Sequence, residues 1–376
     1  MAIASVIVRK VPDLPVVVEE LLRQLPRGRV ATYGGVAAAI GDPIAARWVG
    51  AYLVSDEHRA ARGIDHMDRQ RRVAADAFCP CHRVVRADGT VGAYAHGTGD
   101  AKRSLLEQEG IPFRSPDRVD LASVPVAELR SEQPLAQLRE WQSEIARQAV
   151  WCGGPAADLP ATVGGVDISY VPHTELAVAT YALVDANSRQ LLAHHSLRQR
   201  IGFPYITSYL AFRELPLMRA AVQQAEREGA LGDVTIVDGS GILHPRRAGL
   251  ATMLGVTAGI TTIGVTKTHL WGEPSTASAG AEATGAADGW LPLRIDGQTI
   301  GAVICSSGVG RRASARVSQR PIYVSPGHLI DVCSAARIVR QLVGPHRLPE
   351  PQYWADRLSR QEARGLANNL RQGETI

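Results

Sequence analysis

Between residues 114 and 133 the sequence reads RSPDRVDLASVPVAELRSEQ, a mixture of proline, serine and charge without sustained apolar periodicity. The patterns on its two sides differ in kind, so this stretch constrains the fold most: it reads as a linker between two domains. A chain of 376 residues has room for two domains. Each half is long enough to bury a core without disulfides or a structural metal. The expected division is a domain over residues 1–117, a linker over 118–133, a domain over 134–360 and a tail over 361–376.

Upstream of the break, residues 32–40 read as a short helix that Gly41 closes, since glycine tolerates the left-handed cap. Asp42 then caps a second helix over 45–54. Pro43 falls in its first turn, where a missing N–H costs nothing. Two helices across so short a turn form either a DNA-reading helix-turn-helix or an ordinary helical hairpin. Residues 79–84, CPCHRV, set a cysteine directly before a histidine. A free thiol is mostly protonated at neutral pH, and an adjacent imidazole can draw the proton away. Cys79, Cys81 and His82 are also possible zinc ligands, although the spacing lacks the usual knuckle and a second ligand pair. The alternative is a buried, unreactive Cys79.

GRVATYGGVAAAIGDPIAARWVG before this segment and VGAYAHGTGDAKRSLLEQEG after it complete a pattern. Over roughly residues 16–113 it resembles the O6-alkylguanine-DNA alkyltransferases. The resemblance implies a mainly α domain with a winged helix-turn-helix, and Cys81 as the nucleophile that accepts the alkyl group. His82 and Glu109 would favour its thiolate. Tyr33 would help rotate the target nucleotide out of the duplex, Arg47 would fill the gap in the stack, and Tyr94 and Lys102 would line the guanine pocket. A base inside a duplex is out of reach, so such a nucleophile needs an extrusion device. The chain departs from the family in Asp56, which replaces an asparagine, and in Ala95, which replaces a common serine. A charged insert over 57–78, with Arg69, Arg71 and Arg72, also precedes the cysteine. A domain that binds alkylated DNA without transfer is the rival reading.

Composition excludes some classes. Five cysteines, of which only Cys79 and Cys81 are close in sequence, are no secreted disulfide framework and suggest a reducing cytoplasm. No apolar run approaches a membrane span of roughly 18 residues. The net charge of +4 is only a mild hint of an anionic partner. Lys10, Lys102 and Lys267 are the only lysines against 38 arginines. A lysine here therefore stands where arginine's planar fork does not serve.

Downstream of the break, a helix is expected from Pro134 to about Trp151. Strand-like runs follow at 163–170, 177–184, 191–198, 233–238, 261–266, 299–305 and 321–324. Helical patterns at 208–228, 247–258 and 328–343 interleave with them, which indicates an α/β mixed sheet. Residues 273–289 are low-complexity, and the chain after Pro345 ends in an arginine-rich helix of no evident purpose. Asp167 lies inside an apolar strand, where an acid is costly unless paired with a cation. Asp238 ends another strand and Glu214 sits in a helix. Acids without matching cysteines or histidines suit a hard cation such as Mg2+.

GVDISY, FPYITSYLAFRE, VDGSGILHPRRAGLA, TIGVTKTHL, YVSPGH and RLPEP occur here in the order of endonuclease V, which the chain resembles over about residues 134–360. The resemblance implies a ribonuclease-H-like fold, with Asp167, Glu214 and Asp238 as metal and catalytic carboxylates. Mg2+ would be the cofactor and Mn2+ a substitute. His244, Lys267 and His328 would be further active-site residues, with His328 opening a helix. Tyr205 would be the wedge that separates strands at the lesion. The family nicks DNA on the 3′ side of deaminated bases, above all hypoxanthine, and part of it acts on inosine in RNA. The expected partner is alkylated or deaminated duplex DNA, or a single strand, and no membrane. Oligomeric state is not legible.

Overall fold

A computed structural model describes residues 9–55, 58, 80–95, 97–152, 160–269, 273–274, 290–305 and 321–372. The chain forms two units, Lys10–Glu140 with Phe203–Tyr209, and Trp141–Gly202 with the chain from Leu210 onward. None of the described helices is long and apolar enough to cross a membrane.

In the first unit, Asp13 caps α1 (Leu14–Arg23), whose Leu14, Val18, Leu21 and Leu22 form one fully buried stripe. Strand β1 (Ala31–Thr32) pairs in parallel with β2 (Val84–Val85). Thr32 then caps α2 (Tyr33–Ala39), its hydroxyl accepting from Gly35 N at 2.9 Å. Gly41 has φ +106°, and a Cβ there would lie 2.5 Å from Ala136 N, so the turn requires glycine. The Asp42 carboxylate accepts from Ile44 N and opens a 3-10 turn, Pro43–Ala45, that leads into α3 (Ala46–Tyr52). These are the two helices expected from the sequence. A 3-10 turn, Pro80–Arg83, precedes β2, and Thr98 caps α4 (Gly99–Gln108). A hairpin of β3 (Phe113–Ser115) and β4 (Arg118–Val119) follows.

The expected linker, 118–133, is instead part of this unit. Val119 and Val124 are buried with Val30, Val85, Leu106 and Ile111. Ala127 N donates to Val30 O at 2.8 Å, Arg130 N to Gln24 Oε1 at 2.9 Å, and Ser131 Oγ to Ala39 O at 2.6 Å. The segment lacks periodicity because several of its residues bond to or pack on different elements of the unit, such as Ala127 on Val30 and Ser131 on Ala39. Helix α5 (Pro134–Gln148) begins with Leu135 N bonded to Ile40 O, and Tyr209 OH donates to Asp42 Oδ2 at 2.6 Å.

The second unit is built on a nine-stranded mixed sheet. Strands β5 (Thr162–Tyr170), β6 (Leu176–Asp185) and β7 (Leu191–Arg200) form an antiparallel meander. The apolar β6 is buried almost throughout, whereas polar β7 is the sheet edge, which its charges protect from further pairing. Helix α6 (Leu210–Arg227) leads to β8 (Val234–Asp238), parallel to β5. Helix α7 (Leu250–Ala258) is apolar on all sides and buried along most of its length, and it leads to β9 (Thr262–Thr266), parallel to β8. The other side is completed by β10 (Glu273–Pro274), β11 (Leu291–Ile295), β12 (Gln298–Cys305) and β13 (Pro321–His328), with β13 antiparallel to β9. Helices α8 (Val332–Leu342) and α9 (Glu350–Arg371) close the unit. Strand β11 was not expected from the sequence. A Cβ on Gly165 would lie 2.3 Å from the Pro351 backbone, so only glycine lets the first turn of α9 lie directly on β5.

Candidate active sites

Cys81 sits in the 3-10 turn ahead of β2, in no disulfide and only 4% exposed. His82, the next residue, places Nε2 3.0 Å from Glu109 Oε1. Arg83 forks onto the same carboxylate, with NH2 2.6 Å from Oε1 and Nε 2.8 Å from Oε2, and NH1 bonds to Leu25 O. Burial pushes the Glu109 carboxyl up, but the hydrogen bonds from Arg83 and His82 outweigh it and hold the group below its usual range. An ionised Glu109 is thus fixed against the imidazole. Arg83 was missed from the sequence, where its only signal is its place in CPCHRV.

Lys102 is fully buried and donates to Val84 O at 2.7 Å and Ala93 O at 3.4 Å, with its ammonium 5.7 Å from the centre of the Tyr33 ring. Burial lowers its pKa to about 8, against the opposing charge of Cys81. Burial also raises the Tyr33 phenol, with Arg86 opposing and Cys81 adding to the rise. Cys81, Lys102, Tyr33 and Arg86 therefore share one electrostatic environment. Tyr94 is buried nearby in sequence, and Arg47 stands exposed in the first turn of α3. Cys79, and with it the zinc alternative, lies outside the described residues, as do Asp56 and the insert 57–78 apart from His58. The His58 imidazole packs 2.6 Å from Glu19 Oε1.

In the second unit, Val166 of β5 pairs with Val237 of β8, so Asp167, inside β5, and Asp238, the last residue of β8, stand abreast where the parallel pairing ends. Helix α9 adds Asp356, and one oxygen from each carboxylate lies within 4.8 Å of the others. Asp167 is 4% exposed. Burial, then the charges of Asp238 and Asp356, push its carboxyl well above the usual range, while a 2.9 Å hydrogen bond from Ser359 opposes them. Lys267 Nζ, just past β9, is 3.2 Å from Asp356 and 3.9 Å from Asp238, and Arg360 is 2.7 Å from Asp356. Three oxygen donors crowded this closely, with only partial cationic relief, suit a divalent cation. Glu214 lies outside this trio, accepting from Tyr170 OH at 2.8 Å. Burial raises its carboxyl to about 7; the Tyr170 hydrogen bond opposes the rise, and the Asp238 charge adds to it. Asp356 was missed because it lies in the arginine-rich helix left without a purpose. Its signal is an acid beside the small residues Ala355, Ser359 and Ala363.

Residues 145–357 match the family described as Endonuclease V, and residues 16–111 match the 6-O-methylguanine DNA methyltransferase DNA-binding domain. The chain belongs to the endonuclease V family. It carries the methyltransferase-type DNA-binding domain ahead of the nuclease. It is 30% identical over 333 residues to a bifunctional methyltransferase/endonuclease of Thermoplasma volcanium, covering 88% of this chain and 85% of that protein. Endonuclease V of Azotobacter vinelandii is 38% identical over 230 residues, 61% of this chain and 94% of that protein. The structure of Ciona intestinalis endonuclease V with a DNA containing an inosine followed by a ribo-adenosine matches with TM-score 0.53. The identity is 26%, over 63% of this chain and 99% of that one.

Within the endonuclease V part, not every expected residue reaches the carboxylates. His328 is the last residue of β13 and pairs with Thr262 at the start of β9, whereas Asp238 and Lys267 stand at the other end of these strands. It does not open a helix either, since α8 starts at Val332 under an Asp331 cap. His328 is 4% exposed, accepts from Val150 N at 3.2 Å, and has its pKa lowered by burial. His244 lies in the loop after β8, where its Nδ1 accepts from Arg246 N. Tyr205 is 67% exposed between the buried Phe203, Ile206 and Tyr209, and its segment groups with the first unit.

Proposed function

We propose that this chain is a bifunctional DNA-repair enzyme. The first unit transfers the alkyl group of O6-alkylguanine in DNA to Cys81, and the second nicks DNA on the 3′ side of a deaminated base, above all hypoxanthine. The observation that carries the reading is the presence, in one chain, of a Cys81–His82–Glu109 constellation and an Asp167–Asp238–Asp356 centre.

In the first reaction, His82, oriented by Glu109, takes the Cys81 proton, and the sulfur attacks the alkyl carbon. A carbon–sulfur bond forms as the carbon–O6 bond breaks, and its electron pair stays with guanine. The thioether is stable, so one molecule repairs one lesion, and a reducing cytoplasm keeps the thiol available. A winged helix-turn-helix presents α3, Arg47 fills the vacated stack, Tyr33 helps rotate the nucleotide, and Lys102 and Tyr94 line the pocket. In the second unit, a ribonuclease-H-like sheet supplies Asp167, Asp238 and Asp356 to hold Mg2+, with Mn2+ as a substitute, and Glu214 stands beside them. When bound, the cation supplies an activated water and relief of charge on the leaving oxygen. Lys267 sets a compact positive charge beside the phosphate, and Tyr205 parts the strands.

The test uses one duplex carrying both O6-methylguanine and deoxyinosine. Mass spectrometry is expected to find one methyl group, on Cys81. Cys81→Ala abolishes transfer and leaves nicking intact, whereas chelator stops nicking and leaves transfer intact. Lesion binding without methylation of Cys81 makes the first unit a sensor. Nicking in excess chelator refutes the metal centre, and preference for inosine in RNA makes the second unit a ribonuclease.

A further inference from the structure

Helix α9 continues well past Asp356, and the carboxylate centre uses only its first half. Its sheet-facing side is Gln352, Ala355, Ser359, Ala363 and Leu366, all buried. On the other side stand Arg357, Arg360, Arg364 and Arg371, all exposed. Spacings of three, four and seven residues confine them to a band about 60° wide on a helix that turns about 100° per residue. A merely solvated helix face would intersperse acids that neutralise such a row. The one acid of the helix beyond Asp356, Glu362, is instead held by Arg198 of β7 at 2.6 Å. The band starts at the centre, because Arg360 is 2.7 Å from Asp356. Beside it, Arg357 lies 5.5 Å from the centre of the Trp354 ring and donates to Tyr353 OH, and His346 stacks on Tyr353 at 3.7 Å. A groove of about 370 Å³, lined by Gln361, Gly365 and Asn369 of α9 and by His194 and Arg198 of β7, runs along the helix flank.

We propose that this arginine band is a phosphate track. It binds the backbone of the nucleic-acid strand whose scissile phosphodiester lies at the Asp167–Asp238–Asp356 centre. Guanidinium forks match phosphate oxygens, and the half-buried Trp354 ring beside the band's start can take one adjoining base. The proposal rests on the nuclease reading of that centre.

The test compares the full-length chain carrying Arg364→Ala and Arg371→Ala with wild type and with Asp238→Asn. Each is assayed on a deoxyinosine duplex in Mg2+ at several salt concentrations. The double variant is expected to raise KM for nicking roughly tenfold and to leave kcat within about twofold. The log–log slope of kcat/KM against salt is expected to become shallower by about two, one for each arginine–phosphate pair removed. Mn2+ binding by calorimetry and methyl transfer to Cys81 stay at wild-type values, which shows that both units remain folded. Lysine at both positions restores most of the slope. Unchanged KM and slope overturn the track, as does a loss of kcat at constant KM. Wild-type nicking by Asp238→Asn refutes the nuclease reading itself, an outcome separate from failure of the track.

Discussion

Asp167 and Glu214 are acids that the second unit buries, and burial is the largest influence on the titration of each. Burial raises both carboxyls above the usual carboxylate range, Glu214 to about 7. Between its ordinary value of 4.5 and about 7, folded Glu214 keeps a proton that the unfolded chain has released. Stability without metal must therefore fall as pH rises through that window. Melting curves in chelator are expected to show the nuclease transition dropping from about pH 5 to about pH 8, and Glu214→Gln to flatten the drop. A level wild-type profile would contradict the assignment. A cation held by Asp167 would displace its proton, so metal affinity should rise with pH. Asp356→Asn is expected to lower nicking by at least about a hundredfold and to weaken Mn2+ binding in calorimetry, with methyl transfer unchanged. Nicking near the wild-type rate would remove Asp356 from the centre. Glu109 works in the opposite direction, since Arg83 and His82 keep it ionised.

At the scale of elements, local chemistry explains most of what was legible. Thr32, Gly41, Asp42 and Pro43 each satisfy a cap or turn within four residues, so both helices of the first unit could be read directly. Gly41→Ala is expected to destabilise the first unit by roughly 2–4 kcal/mol, because it combines a positive φ with a 2.5 Å approach to Ala136 N. Urea unfolding followed at Trp48 measures this, and a shift below about 0.5 kcal/mol would show that the turn relaxes. His328 marks the limit of motif reading. Its order in the sequence matched the family, but strand direction sets it at the far end of β13 from the carboxylates. Asp356 is the converse case, an acid in an unremarked helix that the Gly165 approach brings onto β5.

For the whole molecule, the first unit needs more chain than its motifs span. A fragment ending at residue 118 omits Val119 and Val124 from a small core and the strand-like pairing of Ala127 with Val30. It is expected to melt well below the full chain and to accept little methyl on Cys81, whereas a fragment ending at residue 148 keeps these groups and labels stoichiometrically. Equal labelling by both fragments would show that 119–133 is dispensable.

The amino-acid sequence by itself determined that there are two units and which chemistry each carries. Those properties live in short segments: a thiol beside an imidazole, acids inside apolar strands, caps beside turns. Only the tertiary structure decided that 118–133 is built into the first unit, that Asp356 joins Asp167 and Asp238, and that Arg83 clamps Glu109. Each of these depends on strand direction, helix crossing or a hydrogen bond between residues distant in sequence. Such pairings follow from packing the whole chain at once, so no local pattern records them.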